Sequence, residues 1–159
     1  MSKRSLIWLA TLALLLSVAG FGLAQAQDKD AAMIGYRQKL MQANGFHAGS
    51  IGAILKGEWP HKEDGSAHAK ALAANAMLIV NAFKAQTADV KTDAKQNIWQ
   101  EMAKFEEKAK DFERETAKLA EIAGSSDMSG VPAQMKKVGE ACGACHKEFR
   151  KPKEESYKK

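Results

Sequence analysis

"IWQEMAKFEEKAKDFERETAKLAEIA", residues 98–123, sets the architecture. Ile98, Met102, Phe105, Ala109, Phe112, Thr116, Leu119 and Ala123 step by four and then three throughout. A helix turns once in about 3.6 residues, so this spacing holds them in one narrow stripe. Charged residues fill the other faces, and Gly124 marks the stop. A stripe this narrow is the seam of left-handed helix-bundle packing.

The same stepping recurs on both sides. Downstream it runs through Val131, Met135, Val138, Cys142, Cys145 and Phe149, with Pro132 suited to a first turn. Upstream it runs through Leu72, Ala76, Ile79 and Phe83. Earlier still it takes Ile34, Arg37, Met41, Asn44, Ala48, Ile51 and Leu55, with two polar members. Helices are expected over roughly 30–56, 66–85, 96–123 and 131–150. The prolines at 60, 132 and 152 all fall where a helix starts or stops. The longest connection surrounds "GEWPHKEDGS", with Trp59-Pro60 and Gly65 as breakers. No segment alternates with the period of a strand. The expected fold is all-α, an antiparallel up-down four-helix bundle.

Residues 1–26 read as a cleaved secretory signal peptide. Lys3 and Arg4 form a basic start, Leu6 to Leu23 is apolar, and "AQA" at Ala24–Ala26 is a small-x-small cleavage site. An uncleaved anchor is the rival, since the apolar stretch nearly spans a bilayer. The cleavage signal and the polar stretch after it favour removal. Residues 27–159 then form one exported domain, periplasmic and without a stable membrane anchor, ending in a short basic tail. The formal net charge is +5; Lys3 and Arg4 supply two of it, which leaves +3 on the mature chain. So small an excess argues against nucleic acid as a partner. The tail, "RKPKEESYKK", is expected to be a solvated end.

"CGACHKEFR", Cys142 to Arg150, holds the only two cysteines. Cys142 and Cys145 lie one turn apart on the inward seam, and His146, four after Cys142, shares that face. A zinc clip needs two more soft ligands, and His47, His61 and His68 show no metal spacing. A thioredoxin-type dithiol belongs at a helix start beside a sheet. A disulfide across one helical turn would be strained. The remaining reading is covalent attachment of one haem c. Cys142 and Cys145 would form its thioethers, and His146 would be the proximal iron ligand. A leader for export supplies the compartment such attachment requires.

At these residues the chain resembles the class II c-type cytochromes, the cytochrome c′ family. The likeness rests on "YRQ" at Tyr36–Gln38, Phe83, "IW" at Ile98–Trp99, Phe105 and "CGACHKEFR", and it covers essentially all of the mature chain. It implies a four-helix bundle with haem near the C-terminus. It implies Arg37 near a haem propionate and Arg150 beside the proximal face. It places the distal residue four after Arg37, at Met41, which periodicity also puts on the inward seam. "QKLMQANG" is most similar to the low-spin, Met-ligated subgroup. Family members often pair through their first two helices, so the resemblance allows a homodimer.

Two functions follow from the Met41 bond. With Met41 bound, the expected role is one-electron transfer with an unidentified periplasmic redox partner. With Met41 unbound, an apolar distal pocket would take nitric oxide or carbon monoxide. Peroxidase-like catalysis is not expected, because no distal histidine–arginine pair is placed for it; the chain reads as a non-enzyme. His47 is a rival ligand, and the other histidines are expected in solvent. Gly45, Gly49 and Gly52 follow Met41 on one stripe, each costing about 1 kcal/mol of helix propensity against alanine. Close approach of a flat ring or of a neighbouring helix would account for them.

Overall fold

The computed structural model describes residues 3–88, 91–125 and 128–158, with side chains from residue 28 onward. The leader reading of residues 1–26 lies outside the residues whose side chains are described. The helices are α1 (Lys3–Leu55), α2 (Asp64–Ala76), α3 (Ile79–Phe83), α4 (Asn97–Gln100), α5 (Met102–Ala123) and α6 (Val131–Phe149), followed by a 3₁₀ turn at Lys153–Glu155. Among the described residues the only β-type pairing is a single bridge between Ala94 and Arg150.

The six helices among the described residues make four arms. The second expected helix divides into α2 and α3, where Leu78 N–H donates to Asn75 O at 3.1 Å in one tightened turn. Met77 and Leu78 are exposed there, while Ala69, Leu72, Ala76, Ile79 and Phe83 stay buried across the break. The third divides at Glu101, whose backbone (φ −119°, ψ 41°) leaves the helical region. Its carbonyl accepts from Lys104 and Phe105 N–H, each at 3.0 Å, and so starts α5. In both arms the four-three seam runs through the break, so packing proceeds as if each were one helix.

The core is this set of seams. Ile51, Leu72, Ile98, Thr116, Leu119, Val131 and Val138 are fully enclosed. Burying each large aliphatic side chain stabilises the fold by about 1.5–3 kcal/mol. Thr116 enters the core because its hydroxyl donates to Phe112 O at 2.9 Å, one turn back. The α1 seam departs from expectation at its end: Leu55 is 39% exposed, and Ile54 takes the buried place.

The connection after α1 is set by Gly57, at φ +75°. Its N–H donates to Ile54 O at 3.1 Å, and Glu58 N–H donates to Ala53 O at 3.0 Å. These are the paired bonds of a Schellman stop, which needs a left-handed residue. Gly65, expected to break the chain, instead lies in the first turn of α2. A side chain there would meet Met128 Cε at 3.2 Å.

Candidate haem-binding site

The bundle encloses a cavity of about 490 Å³ with a largely apolar wall that includes Leu72, Ile79, Phe83, Ile98, Phe105 and Phe112. Met41 and Arg37 border it from α1, Cys142, Cys145 and His146 from α6, and Arg150 from the end of α6. All six residues that the sequence singles out therefore line one space. Seam positions are the reason for four of them: Arg37 is buried, and Cys142, Cys145 and Met41 are half-buried and packed against the core.

Burial sets the chemistry of the α6 motif. It pushes the Cys142 thiol up. It carries Cys145 to about 11, against the opposing pull of Lys108. Both are protonated thiols at neutral pH, poor as metal-binding thiolates and as redox nucleophiles. Burial, helped by the nearby charge of Arg150, lowers the pKa of His146. Its imidazole is therefore in the neutral form that binds a metal.

Arg37 is 3% exposed and tied to the segment after α3. Its Nε donates to Ala82 O at 2.7 Å and its Nη1 to Thr87 Oγ1 at 2.8 Å. Its Nη2 donates to Ala85 O. The guanidinium also lies over the rings of Phe83 and Trp99, at 4.9 and 5.2 Å. Burial lowers its pKa, and Asp30 raises it in part. A guanidinium carries five N–H groups, so two remain for another acceptor. Arg150 is exposed at the C-cap of α6, where its N–H donates to His146 O at 3.0 Å.

Three features were missed or misread in the sequence. The tail is largely exposed, as expected, but it is tethered to the segment before α4. Lys151 N–H donates to Asp93 O at 2.7 Å. Ser156 Oγ donates to Asp93 Oδ2 and Tyr157 N–H to Asp93 Oδ1, both at 3.1 Å, so Tyr157 and Lys158 reach the cavity wall. A short basic tail gives no signal for this, since its anchor is one distant aspartate. Second, Asn44, three residues after Met41, borders the cavity with a buried Oδ1 that has no partner. Its polar place on the α1 seam was the available signal. Third, His68, expected in solvent, is half-buried and pairs with His47: their Nδ1 atoms lie 2.9 Å apart across α1 and α2. His47 does not border the cavity. As for the glycines, Cβ atoms at Gly45, Gly49 and Gly52 would meet nothing within 4 Å, which removes the close-helix explanation. Gly45 alone of the three faces the cavity.

The residues fit a haem. The cavity is roomy and apolar, as a flat hydrophobic ring requires. Two thiols and an imidazole stand together on one helix, and cations border the space at Arg37, Lys108, Arg150 and Lys158, suited to carboxylates.

Comparison with known proteins agrees. The family profile described as "Cytochrome C'" matches residues 32–150. The chain is 34% identical to cytochrome c′ from Rhodospirillum rubrum over 128 residues, 80% of this chain and 86% of that one. Its fold superposes on cytochrome c′ from Shewanella frigidimarina with a TM-score of 0.71 at 31% identity, over 77% of this chain and 97% of that one. A ferrous variant of the Alcaligenes xylosoxidans protein with bound nitric oxide gives 0.71 at 28% identity, over 78% and 97%. With an all-α bundle, a cavity of this character and the two-cysteine motif on its wall, the chain belongs to the cytochrome c′ family, non-enzymatic proteins that carry one covalent haem c, joined here through Cys142 and Cys145.

Proposed function

We propose that this protein takes a small uncharged diatomic, nitric oxide or carbon monoxide, in the periplasm, on the cavity side bordered by Met41. The observation that carries the reading is the shared cavity: His146 on α6 and Met41 on α1 border one largely apolar space. When bound, the haem would supply an iron that exchanges one electron and binds a small gas. His146 serves as proximal ligand through its neutral imidazole. The apolar wall admits an uncharged gas and disfavours ions, which lose their hydration there. The nitric oxide complex of a similar protein supports this assignment. Arg37, with two N–H groups to spare, and Arg150 hold the propionates.

A second reading has its own support. Met41 offers a flexible, half-buried thioether at the distal position, which suits a Met/His-ligated carrier passing single electrons to a periplasmic partner. The exposed Tyr36, Met77 and Leu78 on the first two arms support a homodimer in either case.

Absorption spectra and carbon monoxide titration of the haem-loaded wild type and Met41→Ala separate the two. The gas-binding reading expects high-spin spectra in both proteins, with no methionine–iron band, and equal carbon monoxide affinity. A wild type that is low-spin and takes the gas at least 10-fold more weakly than Met41→Ala would establish the electron-carrier reading instead.

A further inference from the structure

Away from the cavity, α1 and α2 bring two histidines into contact. His47 and His68 face each other through Nδ1 at 2.9 Å, and both are half-buried. Phe46 leans edge-on against both rings, with centroids 5.4 and 5.8 Å away, and walls off one side. Phe46 itself is 65% exposed, so the pair lies at the surface and is open to solutes. The Ser50 hydroxyl is spent on Phe46 O at 2.9 Å and does not compete for either ring.

We propose that His47 and His68 form a divalent copper site that bridges α1 and α2. The spacing favours copper over zinc. Ligand nitrogens about 2.05 Å from a metal stand about 2.9 Å apart at cis positions of a square plane, and about 3.3 Å apart on a tetrahedron. The observed separation is that of a hydrogen bond between the two rings, and it is also close to the cis spacing of a square plane, the geometry of Cu(II), which binds nitrogen ligands most tightly of the divalent first-row metals. Among the described residues no third histidine, cysteine or carboxylate joins the pair, so water fills the remaining positions. The ligands come from two arms that also line the haem cavity, at Ala48 and Leu72. A bound ion would therefore clamp the wall of that cavity from outside.

The test is calorimetric titration of Cu(II) into the haem-bearing protein, made without a polyhistidine tag. One saturable Cu(II) per chain is expected, with a raised melting temperature, since an ion that binds only the folded state stabilises it. His47→Gln and His68→Gln should each weaken binding at least 10-fold, and Zn(II) should bind at least 10-fold more weakly than Cu(II). Metal-free melting curves of both variants show whether each is folded. Pulsed electron paramagnetic resonance of the wild-type copper adduct gives a reading that needs no variant: two coordinated imidazoles are expected. No saturable site, equal binding after both substitutions, or fewer than two imidazoles on the copper would each overturn the proposal and leave a hydrogen-bonded histidine pair.

Discussion

Replacing Arg37 by Gln strips three acceptors of a buried charged donor. Losing a hydrogen-bonded charge of this kind costs on the order of 3 kcal/mol. The substitution should lower the stability of the haem-bearing protein by about that much in urea unfolding. A propionate partnership adds a second signature, because removing a positive charge beside the haem disfavours the ferrous state. The reduction potential of Arg37→Gln should then fall, while Arg37→Lys, which keeps the charge but not the fork, should hold the potential and still lose stability. An unchanged potential in both would assign Arg37 to the α1–α3 contact alone. The sequence showed Arg37 as an inward residue but could not show what it grips. Its partners are backbone carbonyls and one threonine, 45 to 50 residues away. Asn44 was legible in the same partial way, as a polar residue on an apolar stripe. That its Oδ1 lacks a partner is a tertiary fact.

The helices were legible to the extent that seams define them. The four-three stepping of α5 and α6 located both, with Gly124 and Pro132 at the expected ends. The breaks at Met77–Leu78 and Glu101 escaped, because buried spacing passes through them undisturbed. The stop of α1 escaped in detail, because Trp59-Pro60 outweighed Gly57 as a sequence signal. Gly57→Ala should cost about 1–2 kcal/mol, the penalty for a left-handed L-residue, read as a lower urea midpoint. The α5–α6 contact yields a pH prediction. Gln134, buried on α6, donates to Glu115 Oε2 at 2.8 Å and to Glu115 O at 2.9 Å. That bond, more than Arg114 or Lys137, pulls the Glu115 carboxyl below its ordinary value of 4.5. A depressed carboxyl stabilises the fold while ionised, so its contribution is full above 4.5 and is lost as pH falls through the depressed value. Denaturation of the wild type at pH 7 and pH 3.5 should show this loss, and Glu115→Gln should show a smaller drop. Equal drops would place the acid sensitivity elsewhere.

At the scale of the molecule, the bundle and its attachment motif were both readable from one periodicity. The cavity was not, because it is the space left when four seams meet, and no single seam encodes it. Its size decides how the fold depends on its ligand. A void of about 490 Å³ in a packed core, at about 24 cal/mol per Å³, costs on the order of 12 kcal/mol. Domains are typically stable by only about 5–15 kcal/mol, so a bundle denied its ring should not keep a rigid core. Water reaches part of this space, and half of that cost, about 6 kcal/mol, would still match the low end of that range. Cys142→Ala/Cys145→Ala protein, purified free of haem, should keep most of its helical far-ultraviolet circular dichroism. It should lose its near-ultraviolet signal, bind an apolar dye and melt without a sharp transition. The haem-bearing wild type should melt cooperatively, and its mass should exceed that of the polypeptide alone by one haem after denaturation. The exported chain would then become rigid only once Cys142 and Cys145 have reacted, so attachment would be the last step of folding. A haem-free variant with a sharp melt and well-dispersed nuclear resonances would show instead that the seams collapse and close the cavity by themselves.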